Sequence, residues 1–161
     1  DGTIALSLAG KTIGVGDRVR YSTVDRLDES GRKDPHQFIP AAFTTETIAP
    51  VDGLVAAIKR ACLVAGDGKP KILLGFGSDD ISVRAAGDDT GAVALDHVEG
   101  QHVDGPPLQI AFQPAPILDA LTVAGTDQVR IGLTGPTKPA LIHAHGDDGS
   151  DYRHLVMPVR I

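Results

Sequence analysis

Two histidines near the end of the chain, His143 and His145, could do metal chemistry. In a strand, residues two apart lie on the same face, so both imidazoles could bind one zinc ion. Asp147, Asp148 and His154 follow closely in the sequence. None of these three stands at a spacing that supplies a convincing third ligand. We therefore predict no metal site, and we expect His143 and His145 to line a solvent-facing strand.

No other pattern indicates catalysis. The glycine pairs at 14/16 and 75/77 are too short for a phosphate loop and do not stand between a strand and a helix. The serines lack the context of a nucleophile elbow. Asp88 and Asp89 are typical of a solvated loop rather than an acid–base pair. Cys62 lies on the apolar face of a predicted helix, which indicates a small buried hydrophobic residue. We predict that the chain is not an enzyme and has no cofactor.

The end of the chain, residues 154–161, reads His-Leu-Val-Met-Pro-Val-Arg-Ile. Its alternating apolar side chains predict a strand, and Pro158 cannot donate a hydrogen bond to a neighbouring strand, so we expect this strand at a sheet edge. An apolar edge strand invites aggregation unless it serves as a docking surface for an extended segment. The sequence therefore predicts a binding module.

Composition sets the broad class. The chain has 161 residues, 42% of them hydrophobic, with no Trp, four Phe and two Tyr, so its core must be aliphatic. A net charge of −6 argues against long-range attraction to nucleic acid or anionic membranes, but it leaves room for a local basic stripe. No apolar run approaches the length of a membrane span, and no signal peptide opens the chain. A single cysteine fits a cytoplasmic location. Because the chain begins at Asp1, directly before strand-like sequence, we expect it to be part of a longer protein.

Short apolar runs between nineteen Gly and eleven Pro predict many strands, and one unit of them occurs twice. We predict strands at 3–8, 11–15, 18–24, 44–49, 71–76, 81–85, 92–98, 108–112, 129–134, 140–145 and 152–159. Apolar residues at three- and four-residue spacing predict one helix between Pro50 and Gly66 and another between Pro114 and Gly125. The charged stretch 25–37 has no apolar period and marks a connector. Residues 44–161 thus form a duplicated βαβββ unit, an α+β fold with two helices packed on one side of an antiparallel sheet.

This doubled unit, with its Leu-Val-Met-Pro-Val-Arg ending at 155–160, resembles the C-terminal domain of the bacterial DNA polymerase III β subunit, the sliding clamp. The stretches at 59–61, 110–112 and 137–141 fit the same pattern, in an actinobacterial style. The resemblance covers residues 44–161 and implies a DNA-clamp fold. Residues 1–43 look like the closing strands of a preceding clamp domain plus the interdomain linker.

In that family, two subunits form a head-to-tail ring whose helices surround duplex DNA, and the C-terminal strand walls a pocket for short linear motifs. The resemblance implies a processivity factor of DNA replication and repair that binds DNA polymerase, repair proteins and double-stranded DNA, forms a homodimeric ring and does not bind membranes. Carried over by position, the pocket residues are Leu155, Met157, Pro158, Val159, Arg160, Thr137, Pro139, Gln113, Pro116, Gln37 and Phe38. The helical cations that would face DNA are Lys59 and Arg60.

The sequence departs from the family pattern in three places. Gln37 stands where the pocket usually has an arginine, and Pro116 stands where it has a tyrosine. The segment 87–92 lacks the glutamates that pair with the next subunit, and the second helix carries no Lys or Arg. These departures leave open an alternative, a clamp-like domain of a MerR-type helix-turn-helix transcription regulator. A hydrolase or transferase that uses His143 and His145 is the third hypothesis. Lys59 and Arg60 also fit plain solvated cations near a helix C-terminus.

Overall fold

The computed structural model describes residues 4–8, 11–13, 39–66, 68, 70–86, 93–146 and 152–160. The elements of this part follow one another as β1 (Ile4–Leu8), β2 (Lys11–Ile13), β3 (Thr45–Pro50), α1 (Val51–Ala65), β4 (Ile72–Phe76), β5 (Asp80–Ala86), β6 (Val93–Glu99), β7 (Gln101–Asp104), β8 (Leu108–Phe112), α2 (Pro114–Val123), β9 (Gln128–Leu133), β10 (Ala140–His145) and β11 (Arg153–Val156). The order is that of a doubled βαβββ unit with β7 added between its halves.

The helices form where apolar spacing and backbone signals agree. In α1, Leu54, Ile58 and Ala61 recur on one face and are fully or almost fully buried. Each large apolar side chain buried in this way contributes roughly 1.5–3 kcal/mol. Gly66 ends α1 with φ 78°, a left-handed conformation that glycine adopts without strain. Pro114 begins α2, where its missing N–H leaves no hydrogen bond unmade.

The strands form two sheets. The larger sheet has the order β2-β1-β11-β10-β9-β3-β7, and the smaller one has the order β6-β5-β4-β8. Their pairings are antiparallel except for β1 and β11, which run parallel. Helix α1 packs on β5 and β6 and against α2, so the helices lie together over the inner faces of the sheets. The main core fills the space between these layers.

The larger sheet has an inner face toward this core and an outer face away from it. Along β10, Ala140 and Ile142 belong to the main core, while Leu141 belongs to a separate small cluster on the other side. The alternation of side chains along a strand produces this division. The outer face of the larger sheet therefore carries a small apolar cluster of its own, separate from the main core.

Most predicted elements are confirmed. The second-half strands at 108–112 and 140–145 match residue for residue, and both helices lie within their predicted limits. Strand β7 was missed, because Gln101–Asp104 is polar and only four residues long. The strand predicted at 18–24 lies outside the described residues. The division of the chain at residues 43 and 44 stays a prediction.

The prediction that the terminal strand lies at a sheet edge was wrong. Strand β11 lies between β10 and β1, and it ends at Val156, two residues before Pro158. Proline is therefore excluded from the ladder, as its missing N–H requires, without forcing the strand to an edge. Neither helix in the described part of the chain is both long and apolar enough to span a bilayer.

Candidate partner-binding site

The segment after β11, which we call the C-terminal tail (residues 157–160), connects the two sheets. The Val159 N–H donates a hydrogen bond to the Ala111 carbonyl on β8, the edge strand of the smaller sheet, at 2.9 Å. The Lys71 ammonium donates to the Arg160 carbonyl at 3.0 Å. These two contacts hold the tail in an extended path across the gap between the sheets.

The tail brings several predicted pocket residues into one region. Ala140 and Val156 form the last pair between β10 and β11. Pro139, just before β10, and Met157, just after β11, are the next residues along the two segments. Met157 is 46% exposed. On the other side of the tail, Gln113 follows β8 directly, two residues after the Ala111 carbonyl that holds Val159. An exposed methionine among partly buried neighbours suits varied apolar anchors, because its side chain is flexible and polarizable.

The other predicted pocket residues differ in accessibility. Thr137 and Arg160 are exposed, and Pro139, Pro158, Val159 and Gln113 are partly buried. Leu155 is 2% exposed, so it is not accessible to a partner. Pro116 is buried within α2. Gln37 and Phe38 lie outside the described residues. The rim is thus formed mainly by the tail and the loop before β10.

Next to the start of the tail lies the outer cluster, which consists of Ile39, Phe43, Leu141 and Leu155. Leu141 and Leu155 face each other across β10 and β11 and are 4% and 2% exposed. Ile39 and Phe43 precede β3 and cover this pair. Of the four residues, only Leu155 was predicted from the sequence. The signal that could have found the cluster is the two apolar residues, Ile39 and Phe43, immediately before a strand.

Gly132 leaves space for Phe43, which covers the outer cluster. If Gly132 on β9 carried a Cβ, that atom would lie 2.7 Å from Cγ and Cδ1 of the Phe43 ring. Real side chains essentially never approach so closely, so Phe43 reaches its place only because position 132 has no side chain. Gly132 pairs with Leu141 across β9 and β10, which places the ring next to the cluster.

A buried polar pair lies on the opposite face of β11. The Tyr152 hydroxyl lies 3.2 Å from the Ala120 carbonyl of α2, to which it donates, and 2.8 Å from Nδ1 of His154. His154 is fully buried, and Nε2 of its ring has no hydrogen-bond partner among the described residues. Burial lowers the pKa of His154 to about 4, and burial also raises the pKa of Tyr152. The pair ties the strand that leads into the tail to α2.

A polar row crosses the outer face next to the outer cluster. Arg130, His143 and Arg153 are direct cross-strand neighbours on β9, β10 and β11. Arg130 donates from Nε to the Glu46 carboxylate on β3 at 2.5 Å. Burial and then the charge of Arg130 lower the pKa of His143. Arg130 and Arg153 were not predicted as site residues, because their proximity arises only from strand pairing.

His143 and His154 do not share a face of the larger sheet. His143 lies on the outer face, whereas His154 pairs with the core residue Ile142 and belongs to the inner face. Within the residues that the structure describes, no group of three His, Cys, Asp or Glu side chains could hold a metal ion. Asp147 and Asp148 lie outside these residues. Cys62 is partly buried against the core, and this burial raises the pKa of its thiol.

The two helical cations differ in their surroundings. Lys59 and Arg60 are both exposed on α1. Arg60 donates from Nε to the Asp96 carboxylate on β6 at 2.7 Å. This hydrogen bond, with a second from the His97 N–H, lowers the pKa of Asp96. Since α2 carries no Lys or Arg, Lys59 and a partly neutralised Arg60 supply the positive charge of the two helices.

Apolar side chains are exposed on both sides of β6, because Ala94 and Val98 face the core under α1 and the alternating residues face the other way. Leu63 on α1 is 83% exposed, and Val93 and Leu95 on β6 are also exposed. Helix α1 packs on β6, and β6 is the edge strand of its sheet. An exposed apolar group beside an open strand edge is characteristic of a protein–protein contact surface. We call these three residues the edge patch.

Comparison with known proteins agrees with this architecture. Residues 36–160 match the family described as DNA polymerase III beta subunit, C-terminal domain. The chain is 29% identical to the beta sliding clamp of Streptomyces coelicolor over 98% of its own length and 43% of that protein. It is 29% identical to the beta sliding clamp of Bacillus subtilis over 84% of its own length and 35% of that protein. The chain thus spans less than half the length of these relatives.

Among solved structures, the DNA polymerase III beta subunit of Thermotoga maritima is similar, with a TM-score of 0.73 and 27% identity over 81% of this chain and 34% of that one. A sliding clamp of Pseudomonas aeruginosa with a bound ligand gives a TM-score of 0.71 and 26% identity over 80% of this chain and 34% of that one. The family match covers well over half of the chain, and the fold agrees with it. The chain therefore belongs to the family defined by the C-terminal domain of the DNA polymerase III β subunit.

Proposed function

We propose that the chain acts in a sliding clamp, a non-catalytic processivity factor in the cytoplasm, and tethers polymerases and repair proteins through short apolar motifs. The observation that carries this proposal is the position of Met157. It is exposed on a tail that is held by strand β11 before it and by the Val159–Ala111 hydrogen bond after it. Pro139 directly precedes the partner strand β10, and Gln113 directly follows β8. The family membership supports the same proposal. The sliding-clamp relatives give no support to the regulator alternative.

The physical requirements of motif capture are met by this arrangement. Anchors of a linear motif need apolar contacts that are accessible yet rigidly supported, because ordering a mobile surface costs affinity. Leu155 and Leu141 are buried beside the start of the tail, and the Val159–Ala111 hydrogen bond fixes its direction. Because the tail lies outside the strand pairings, an extended peptide could add to it by backbone hydrogen bonds. A few buried anchors of this kind commonly give micromolar affinity, about −8 kcal/mol.

The test is a titration of a fluorescent peptide of the Gln-Leu-x-Leu-Phe type against the chain and its Met157→Ala variant. We expect micromolar binding that weakens by at least about tenfold in the variant, which corresponds to 1.4 kcal/mol. The matched control is Val123→Ala, which truncates another exposed apolar residue, on α2. Equal affinity in all three proteins, or no binding to the unchanged chain, would contradict the proposal.

We further propose that the edge patch contacts the neighbouring protomer of a ring and that Lys59 and Arg60 face its DNA. The edge patch offers apolar area beside an open strand edge. With two cations, one of them paired to Asp96, the helices would bind DNA weakly and without sequence preference. Weak contacts suit a ring, because encirclement rather than affinity keeps a clamp on its DNA.

A further inference from the structure

The polar row of Arg130, His143 and Arg153 concentrates positive charge in a chain whose net charge is −6. Arg130 and Arg153 lie on either side of His143, two strand spacings apart, which is about 9–10 Å. Glu46 compensates Arg130. Within the described part of the chain, no carboxylate contacts the exposed Arg153. The fold therefore keeps a positive site that its own described residues only half neutralise.

The row is continuous with the proposed motif site. His143 and Arg153 lie two residues beyond Leu141 and Leu155 on the same two strands. The exposed methionine at 157 lies four residues from Arg153, about 13 Å along an extended chain. A peptide anchored at the tail could cross the edge of the outer cluster and reach the row within about four residues.

We propose that the row formed by Arg130, His143 and Arg153 on the outer face of the larger sheet binds acidic side chains that flank the linear motif of a protein partner. This inference depends on the proposed function for the apolar anchors and adds the chemistry of the flank. Arg153 supplies an exposed guanidinium fork, which suits a carboxylate. Arg130, oriented by Glu46, supplies the second positive charge, and His143 lies between the two arginines.

The electrostatics around His143 supply an independent readout. Burial and the charges of Arg130 and Arg153 lower the pKa of its imidazole, whereas Glu46 opposes this effect. A carboxylate that docks on the row would act as Glu46 does and raise that pKa. By linkage, the same peptide would bind more tightly as His143 becomes protonated.

The experiment uses the motif peptide with a four-residue extension, Ser-Gly-Glu-Glu, at its N-terminus or its C-terminus, and matched peptides that end in Gln-Gln. We expect one of the Glu extensions to bind about three- to tenfold more tightly than its Gln counterpart, as expected for partly exposed charge pairs. Arg153→Gln should reduce this ratio to near one. Arg84→Gln, at an exposed arginine of the smaller sheet, should leave it unchanged.

The outcomes separate the inference from the proposed function. If Met157→Ala abolishes binding of all peptides while the Glu and Gln extensions bind equally, the tail site is real and the inference is overturned. If no motif peptide binds, the proposed function fails. The inference is then tested separately, by comparing the NMR resonances of the His143 ring with and without the free Ser-Gly-Glu-Glu peptide. A shift that Arg153→Gln removes would support it. No shift, or an equal shift with inorganic phosphate, would overturn it.

Discussion

The ring of Phe43 packs directly on the backbone of Gly132. The two residues are far apart in the sequence but adjacent on the outer face of the larger sheet. The contact leaves no space for a side chain at position 132, and it positions the ring over Leu141 and Leu155. The packing of the outer cluster, next to the proposed motif site, thus depends on the absence of a Cβ at Gly132.

Replacement of Gly132 by alanine should displace Phe43 and loosen the outer cluster. Because overpacking of this kind typically costs about 1–3 kcal/mol, we expect a loss of that size in the free energy of unfolding, measured by urea denaturation. The control is Gly135→Ala, whose added Cβ would meet Lys138 at an ordinary 3.8 Å. Similar stabilities for the two variants would mean that Phe43 does not occupy this place in solution.

Deletion of residues 157–161 should remove motif binding at a modest cost in stability. The tail contributes the Val159–Ala111 backbone hydrogen bond and the Lys71–Arg160 contact, and Leu155 and Val156 stay in place. Hydrogen bonds contribute about 0.5–1.5 kcal/mol each, so for these two we expect a loss of about 1–3 kcal/mol. The measurements are urea denaturation and peptide titration. Unfolding of the truncated chain, or unchanged peptide affinity, would refute this account of the tail.

The sequence predicted the helices and most strands because these features are local. Helix α1 follows from apolar residues three and four apart, ended by Gly66, and the strands at 108–112 and 140–145 follow from short apolar runs. The doubling of the unit was also visible, because each helix is preceded by an Ile-Ala strand ending and followed by an Ala-Gly stop.

The non-local features could not be predicted in the same way. Strand β11 is covered by β1, whose residues are about 150 positions earlier in the sequence, so its position inside the sheet is a matter of long-range pairing. The row of Arg130, His143 and Arg153 depends on register across three strands, which a shift of one residue would disperse. The residues carried over by resemblance include the exposed tail and one member of the outer cluster, Leu155, but not Ile39, Phe43 or Leu141.

Stability should fall as the pH is lowered from about 6.5 to 4, because His154 is buried as the neutral imidazole. Its pKa is lowered to about 4 in the folded chain, from an ordinary value of 6.5, so the unfolded chain binds a proton in this window and the folded chain does not. The contribution is fully present above pH 6.5 and decreases by roughly 3 kcal/mol on the way to pH 4.

The pH prediction is tested by urea denaturation of the chain and its His154→Gln variant from pH 7 to 4. Since carboxylates titrate in both proteins, the difference between the two curves isolates the histidine. As the pH falls, the free energy of unfolding should decrease more for the unchanged chain than for the variant, because only the unchanged chain loses the His154 contribution. Parallel curves would show that His154 titrates normally and is accessible to protons in the folded chain.

DNA binding by the helices should show a shallow salt dependence. Two phosphate contacts, from Lys59 and Arg60, give a slope of log affinity against log salt of about −1.8. Lys59→Gln should reduce this slope to about −0.9, and Asp96→Asn should strengthen binding because it releases Arg60. Fluorescence anisotropy with duplex DNA at several salt concentrations measures both effects. A slope much steeper than about −2 would point to a DNA-binding surface elsewhere on the chain.

Ring assembly should depend on the edge patch, and Leu63 is the residue that tests it most cleanly. A head-to-tail contact is heterologous, so the patch needs a complementary surface on another part of the protomer, and the measurement is sedimentation velocity of the full encoded protein. Leu63→Glu should shift the protein to a lower oligomeric state. It should change the free energy of unfolding by less than about 0.5 kcal/mol, because the side chain is 83% exposed.

The control is Val123→Glu at an exposed position on α2, which should leave assembly intact. If Leu63→Glu assembles like the unchanged protein, the edge patch does not form the ring interface, and the departure from the family at residues 87–92 would then fit a clamp fold that does not close a ring.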